Sequence, residues 1–178
     1  MGFAKRERLF NGHVTIILEV YMSKRIDIAG WGNIDIENIV IDLNGTIATD
    51  GRIPPDVKEK MKSLTKIAKI YILTADTQET ANEEASGMSV ELIKIPEESS
   101  KMKKFEFLKT LNLELTVVIG NGSNDQLTLK EAALGIAVLG DEGVSVSAIK
   151  NADIVVKSIH DALDLLLKPK RLMATLKE

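Results

Sequence analysis

An apolar run ends on Asp42 in "IVIDLNGTIATDG", residues 39–51, and Asn44 stands two positions later. Further along, Thr74 closes "IYILT", Lys101, Lys103 and Lys104 lie in "SKMKKFEFLKTL", and Asn121, Asn124 and Asp125 belong to "GNGSND". A carboxylate, a hydroxyl, a set of lysines and a loop of amides and acid are what phosphoryl transfer with a divalent cation requires. The carboxylate attacks, cation and ammonium neutralise oxygen charge, and the hydroxyl orients the phosphate. Each feature alone has a plainer explanation. Asp42 can cap a turn, Asn-Gly is a hairpin signal, Thr74 suits a helix N-cap, and lysines commonly form a solvated face. Their order, each at the end of an apolar run or early in a helix, is what the rest of the chain must account for.

The elements between them form a regular alternation. "NIVIDL" reads as a buried strand, and "PPDVKEKMKSLTKIAK" places Val57, Met61, Leu64 and Ile67 at helical spacing behind a proline pair. "IYILT", "VELIKI", "LTVVIG", "GIAVL" and "DIVVK" are further strands. Helices separate them over "TQETANEEASG", over "EESSKMKKFEFLKTL" with Met102, Phe105, Leu108 and Leu111 on one face, over "QLTLKEAA" and around "VSVSAIK". A terminal helix over "SIHDALDLLLKPKRLM" is expected to bend or break at Pro169. Strands alternating with helices imply right-handed crossovers and a parallel sheet covered on both faces. The expected fold is therefore α/β, a Rossmann-like three-layer domain with a central parallel sheet over residues 38–178. A short N-terminal β extension with a β-ribbon covers residues 1–37. Ligands of such sheets sit at the carboxyl ends of the strands, where Asp42, Thr74 and Asn121 fall.

Composition narrows the partners. With 178 residues, 44% of them hydrophobic, there is material for one domain with a substantial core. A net charge of −3 and a pI near 5.6 give no basic field, so neither nucleic acid nor membrane is expected as a partner. The absence of cysteine excludes disulfides, thiolate zinc sites and a cysteine nucleophile, and agrees with a cytoplasmic protein. His13 and His160, the only histidines, lie in unrelated contexts, which argues against a histidine metal cluster or a serine–histidine triad. No apolar run approaches the ~20 residues that a bilayer requires. Near the start, residues 14–20 are apolar but interrupted by Thr15 and Glu19, and no small-residue cleavage site follows, so a signal peptide is not expected. Residues 1–21 read as an extension ahead of a self-contained start at Met22. "VTIILEVY" is too apolar for solvent and is expected to pair as a strand with "KRIDIAG" or with a neighbouring subunit.

With these residues in view, the chain resembles the haloacid dehalogenase-like hydrolases, and among them the phosphorylation domain of P-type ATPases, over about residues 38–157. The family motif Asp-x-Asp-Gly-Thr is matched by "DLNGT", which implies Asp42 as nucleophile. A strand-terminal threonine is matched in "ILTADTQETANEEASGM", similar to the ATPase pattern Leu-Thr-Gly-Asp. The family lysine precedes apolar residues at +4 and +7, which Lys104 does with Leu108 and Leu111, so it is preferred to Lys101. Gly-Asp-Gly-x-Asn-Asp is matched by "GNGSND".

The resemblance implies a Mg²⁺-dependent phosphatase working through an aspartyl phosphate on a phosphorylated substrate, small molecule or macromolecule. It implies a catalytic set of Asp42, Asn44, Thr74 and Lys104, and a phosphate-binding set of Thr74, Ala75, Lys104 and Gly45. The implied metal set is Asp42, Asn44, Asn121 and Asp125. Asn44 replaces the family's general acid and base, which implies slow hydrolysis, and Asn121 replaces an acid, which implies weaker metal affinity. A catalytically weak or inactive regulatory module that binds phosphate or metal is the alternative. Only about thirty residues separate Asp42 from Thr74 and about as many separate Thr74 from Lys104. That leaves no room for a cap domain and implies an open site. Capless relatives often close theirs with a neighbouring subunit, so a homo-oligomer is one expectation. The ATPases' nucleotide-binding insertion is also missing, which argues against transport-coupled ATP hydrolysis.

Overall fold

The computed structural model describes residues 2–10, 13–21, 24–75 and 80–178. Two antiparallel hairpins come first. β1 (Gly2–Phe10) pairs with β2 (His13–Tyr21), and β3 (Lys24–Ile28) pairs with β4 (Gly32–Ile36) across the Gly-Trp turn. The strand containing "VTIILEVY" thus pairs with residues 2–10 and not with "KRIDIAG", which is occupied by its own hairpin partner. Met22 and residues 76–79, including the aspartate of "ILTAD", lie outside the described residues.

The rest alternates. β5 (Asn38–Asp42), α1 (Pro55–Leu64), β6 (Lys69–Thr74), α2 (Thr80–Ala85), β7 (Glu91–Lys94) and α3 (Ser100–Leu108) form the first half. β8 (Thr116–Gly120), α4 (Gln126–Glu131), β9 (Leu134–Val138), α5 (Val146–Asn151), β10 (Ile154–Val156), α6 (Ile159–Leu167) and α7 (Pro169–Leu176) form the second. Six of the strands make one sheet in the order β10-β9-β8-β5-β6-β7, and every pairing is parallel. This is the expected Rossmann-like three-layer arrangement.

Burial explains the near-continuous β-branched runs. Ile39, Val40 and Ile41 are each at most 1% exposed, because helices cover both faces of the sheet. Ile39, Ile41, Ile70, Ile72 and Ile119 pack with Val57, Met61 and Leu64 of α1, Leu163 and Leu166 of α6, and Leu172 of α7. Val40, Tyr71 and Val118 face the other way, toward Leu108 of α3, Leu129 of α4 and Ala148 of α5. The β3–β4 hairpin joins the first of these clusters through Ile26, Ile28, Ile34 and Ile36, all buried. Lys24 fixes it further by donating to the Leu166 carbonyl at 3.1 Å. No helix among the described residues is long and apolar enough to cross a membrane.

Two details differ from the pattern or sharpen it. The face of α3 expected to carry Met102 is turned outward there, with Met102 45% exposed, while Lys104 and Leu108 point inward. The helix rotates to bury a charge because two carboxylates await it. At the C-terminal end, α6 stops at Leu167 and α7 begins at Pro169, as the proline requires.

The junction of α1, α6 and α7 is held by Asp164. Lys60 Nζ reaches its Oδ1 at 2.6 Å, and Lys168 Nζ and Arg171 Nη1 reach Oδ2 at 2.7 and 3.2 Å. Hydrogen bonds from Lys168 and Lys60 bring the Asp164 carboxyl down to about 2. A folded-state value below the unfolded ~3.9 stabilises the fold above that pH, and the contribution is lost as pH falls toward 2. Asp164→Asn is therefore expected to cost about 1–2 kcal/mol near neutral pH, after allowance for solvent screening. Urea unfolding should show the gap narrowing from about pH 5 to about pH 3. A gap independent of pH would mean that packing, and not charge, holds this junction.

Candidate active site

The ladder of the central strands sets the positions. Asp42 is in register with Leu73, and Ile41 with Ile119, so Thr74 and the Gly120–Asn121 step emerge on either side of Asp42 at one edge. The Leu43 N–H continues the pairing to the Leu73 carbonyl at 3.0 Å, one residue beyond Asp42. The chain then turns back on itself: the Ile47 and Ala48 N–H groups both donate to the Leu43 carbonyl, at 3.1 and 2.9 Å. This returns Thr46, buried at 5% exposure, to the carboxylate it follows. Its Oγ1 lies 3.2 Å from Asp42 Oδ2 and 3.0 Å from Asn121 Oδ1.

Lys104 enters from the α3 side of the sheet. At 2% exposure it is as buried as the core, and its Nζ donates to Asp42 Oδ1 at 2.5 Å and to Asp125 Oδ1 at 2.6 Å. Asp125 is equally enclosed, and its Oδ2 accepts the Gly122 N–H at 2.9 Å. Its carboxyl folds back against Gly120, where a β-carbon would lie 2.6 Å from Cγ, so a side chain at position 120 would displace it. A half-buried carboxylate and a buried one around a single ammonium leave an excess negative charge. Burial and the Asp125 charge push the Asp42 carboxyl up to about 7, and Lys104 and Thr46 reverse only part of that rise. Burial works against the Lys104 ammonium, but Asp42 and Asp125 outweigh it and hold its pKa above the ordinary lysine value.

Most of the residues singled out from sequence converge here. Thr74 is buried at the end of β6 with Ala75 following, and Asn44 is exposed on the loop beyond Asp42. Asn124 ties its loop to the start of α3 by a 3.5 Å contact from Nδ2 to Ser100 Oγ. The Gly45 N–H donates to the Ala48 carbonyl at 2.9 Å. The residue sits at φ +73°, and a β-carbon there would lie 2.5 Å from Asn121 Nδ2, so a side chain does not fit at this position. Lys101 and Lys103 are not at the carboxylates, and Lys103 pairs with Glu106 on the surface at 2.9 Å. Lys104→Ala is accordingly expected to lower any phosphate release by about 100-fold or more, as loss of a preorganised charge does. Lys101→Ala should change it little, and the reverse ranking would assign the site lysine to position 101.

No family model matches the chain. An uncharacterized protein of Methanocaldococcus jannaschii is 54% identical over 80 residues, covering 44% of this chain and 86% of that one. A soluble P-type ATPase-like phosphatase of the same organism is 27% identical over 172 residues. That match covers 92% of this chain and 63% of the relative, so the chain spans under two thirds of the phosphatase's length. Among solved structures, a 3-deoxy-D-manno-octulosonate 8-phosphate phosphatase of Moraxella catarrhalis, in complex with magnesium, phosphate and the sugar acid, superposes with a TM-score of 0.59. Its identity is 16%, with 80% of this chain and 94% of that chain covered. The chain shares the fold of the haloacid dehalogenase-like hydrolases. The six-stranded parallel core is the haloacid dehalogenase-like fold, and the motifs matched in sequence stand at its strand ends.

Sequence reading passed over two participants. Thr46 was visible as the last residue of "DLNGT", but its link to Asn121 spans 75 positions and appears only in three dimensions. Glu142, whose Oε1 accepts the Asp50 N–H at 3.3 Å, belongs to none of the family's matched motifs and carries no sequence signal.

Proposed function

We propose that this chain is a phosphatase that works through an aspartyl phosphate on Asp42, with a divalent cation such as Mg²⁺, and that it is slow because Asn44 stands where an acid would serve. The observation that carries this reading is the buried Lys104 bridging Asp42 and Asp125 at the carboxyl edge of the central strands. Two similar proteins, a P-type ATPase-like phosphatase and a sugar-acid phosphate phosphatase, support it by analogy.

The residues present fit a divalent cation. Carboxylates of Asp42 and Asp125, the Asn121 amide oxygen and the Asn44 backbone carbonyl are hard oxygen donors, and the pair of acids exceeds the single ammonium in charge. When bound, the cation would neutralise phosphoryl oxygens and hold the phosphate in line with Asp42. The chain's own residues do the rest. An Asp42 oxygen attacks phosphorus, the bond to the leaving oxygen breaks, and that oxygen must find a proton. Lys104 neutralises the charge gathered around Asp42, and Thr74 with the Ala75 N–H orients the phosphate. Water then attacks the phosphorus of the aspartyl phosphate, which restores the carboxylate and releases inorganic phosphate. Asn44 can hydrogen-bond to that water but cannot take its proton.

The test is a phosphate-release screen over phosphomonoesters, acyl phosphates and phosphoproteins, with and without Mg²⁺. Cation-dependent release, fastest on acyl phosphates, is the expected result. A folded protein with no release above buffer on any class would overturn it. The neutral residues at both 44 and 121 favour the second reading in that event: a module that keeps the fold and binds phosphate or metal without turnover.

A further inference from the structure

The amide at position 121 does something an acid could not. Asn121 Nδ2 donates to the Gly143 carbonyl at 3.0 Å, and the Ser145 N–H donates to the Asn121 carbonyl at 2.8 Å. These bonds tie the loop between β9 and α5 to the end of β8. An aspartate here would set a carboxylate against the Gly143 carbonyl, with no proton between them. The loop held in this way carries Glu142. Its Oε1 accepts the Asp50 N–H, and its Oε2 lies 3.0 Å from the point where a β-carbon on Gly45 would stand, beside the Asn121 amide at 2.5 Å from the same point. Carboxylate and amide therefore converge over the loop that follows Asp42.

We propose that Glu142 supplies, from the solvent side, the negative charge that Asn121 lacks, so that it is a positioning residue for the cation and acts on it through water. This inference rests on the cation-dependent reading of the site. Among the described residues no three acids or histidines stand close enough to hold an ion together, which fits an outer-sphere role and not direct ligation. The charge has moved from the strand end to a loop, and the amide left behind fixes that loop.

The test is Mg²⁺ binding, followed by calorimetry on the full chain, with thermal unfolding to verify that each variant is folded. Glu142→Gln keeps an acceptor for the Asp50 N–H and removes only the charge. It is expected to raise the Mg²⁺ Kd about 10-fold, the low end for an outer-shell partner because the side chain is exposed. The difference should shrink as ionic strength rises. Asp141→Asn, which removes a neighbouring charge on the same loop, should leave the Kd near wild type. Adding Asn121→Asp to Glu142→Gln returns the charge to the strand end and should recover much of the affinity, a rescue that a purely structural role for Glu142 would not permit. An unchanged Kd in Glu142→Gln, an equal loss in Asp141→Asn, or no recovery in the double variant overturns the assignment. So does a wild type without saturable Mg²⁺ binding. A wild type that binds Mg²⁺ in this charge-dependent way yet releases no phosphate would sink the phosphatase reading and leave the role of Glu142 intact.

Discussion

Asp42→Asn is expected to reduce phosphate release to the buffer rate on every substrate class. The amide oxygen carries no charge and the nitrogen lone pair is delocalised, so the variant has no nucleophile at the strand end. The fold should survive the change. Lys104 keeps Asp125 as a partner at 2.6 Å, and the repulsion between the Asp42 and Asp125 carboxylates disappears with one of them. The variant is therefore expected to unfold at or above the wild-type temperature while losing all turnover, a combination that a general structural defect would not give. Acid quenching during turnover of a labelled acyl phosphate supplies the companion observation: protein-bound phosphate in wild type, and none in Asp42→Asn. Retained turnover in the variant would rule out the covalent route through this residue.

The second large effect runs the other way. Asn44→Asp is expected to raise steady-state turnover by about 10²–10⁴-fold on unactivated phosphomonoesters, the usual contribution of general acid–base assistance. Asn44 is exposed, on the loop that turns back after Asp42, so an acid of nearly the same volume fits without rearrangement. The gain should be smaller in the first step with acyl phosphates, whose leaving group departs without a proton. Breakdown of phospho-Asp42 should accelerate with both substrates. The measurement is paired rates for wild type and variant on the two substrate types at saturating Mg²⁺. A folded variant that gains on neither would show that the missing acid does not limit this protein, and would favour the binding-module reading.

What could be read in the sequence follows from the range of the interactions. Strand identity was legible because "NIVIDL" and "LTVVIG" are buried on both faces and carry the β-branched signature of that burial. The break at Pro169 and the positions of Asp42, Thr74 and Asn121 at strand ends followed from local chemistry. The orientation of α3 did not. Its most apolar face includes Met102, and only the two carboxylates across the sheet, 62 and 21 positions away, turn Lys104 inward. The direction of the Gly45 N–H depends on how residues 43–48 close into a turn, which no local pattern announces. The strand partner of "VTIILEVY" was not legible, because the segment just upstream, "GFAKRERLF", is too charged to read as a strand by pattern alone.

The parallel register that sets Asp42 beside Leu73 and Ile41 beside Ile119 separates two heritable properties. Foldability resides in the ladder and the apolar layers, whereas rate resides in a few side chains standing at their edge. A lineage built on this scaffold can change Asn44 to aspartate, or back, by a single-base substitution without disturbing what holds the sheet together. Activity then becomes a quantity that selection can lower to a slow timer, silence into a binder or restore, while the protein itself persists unchanged in shape.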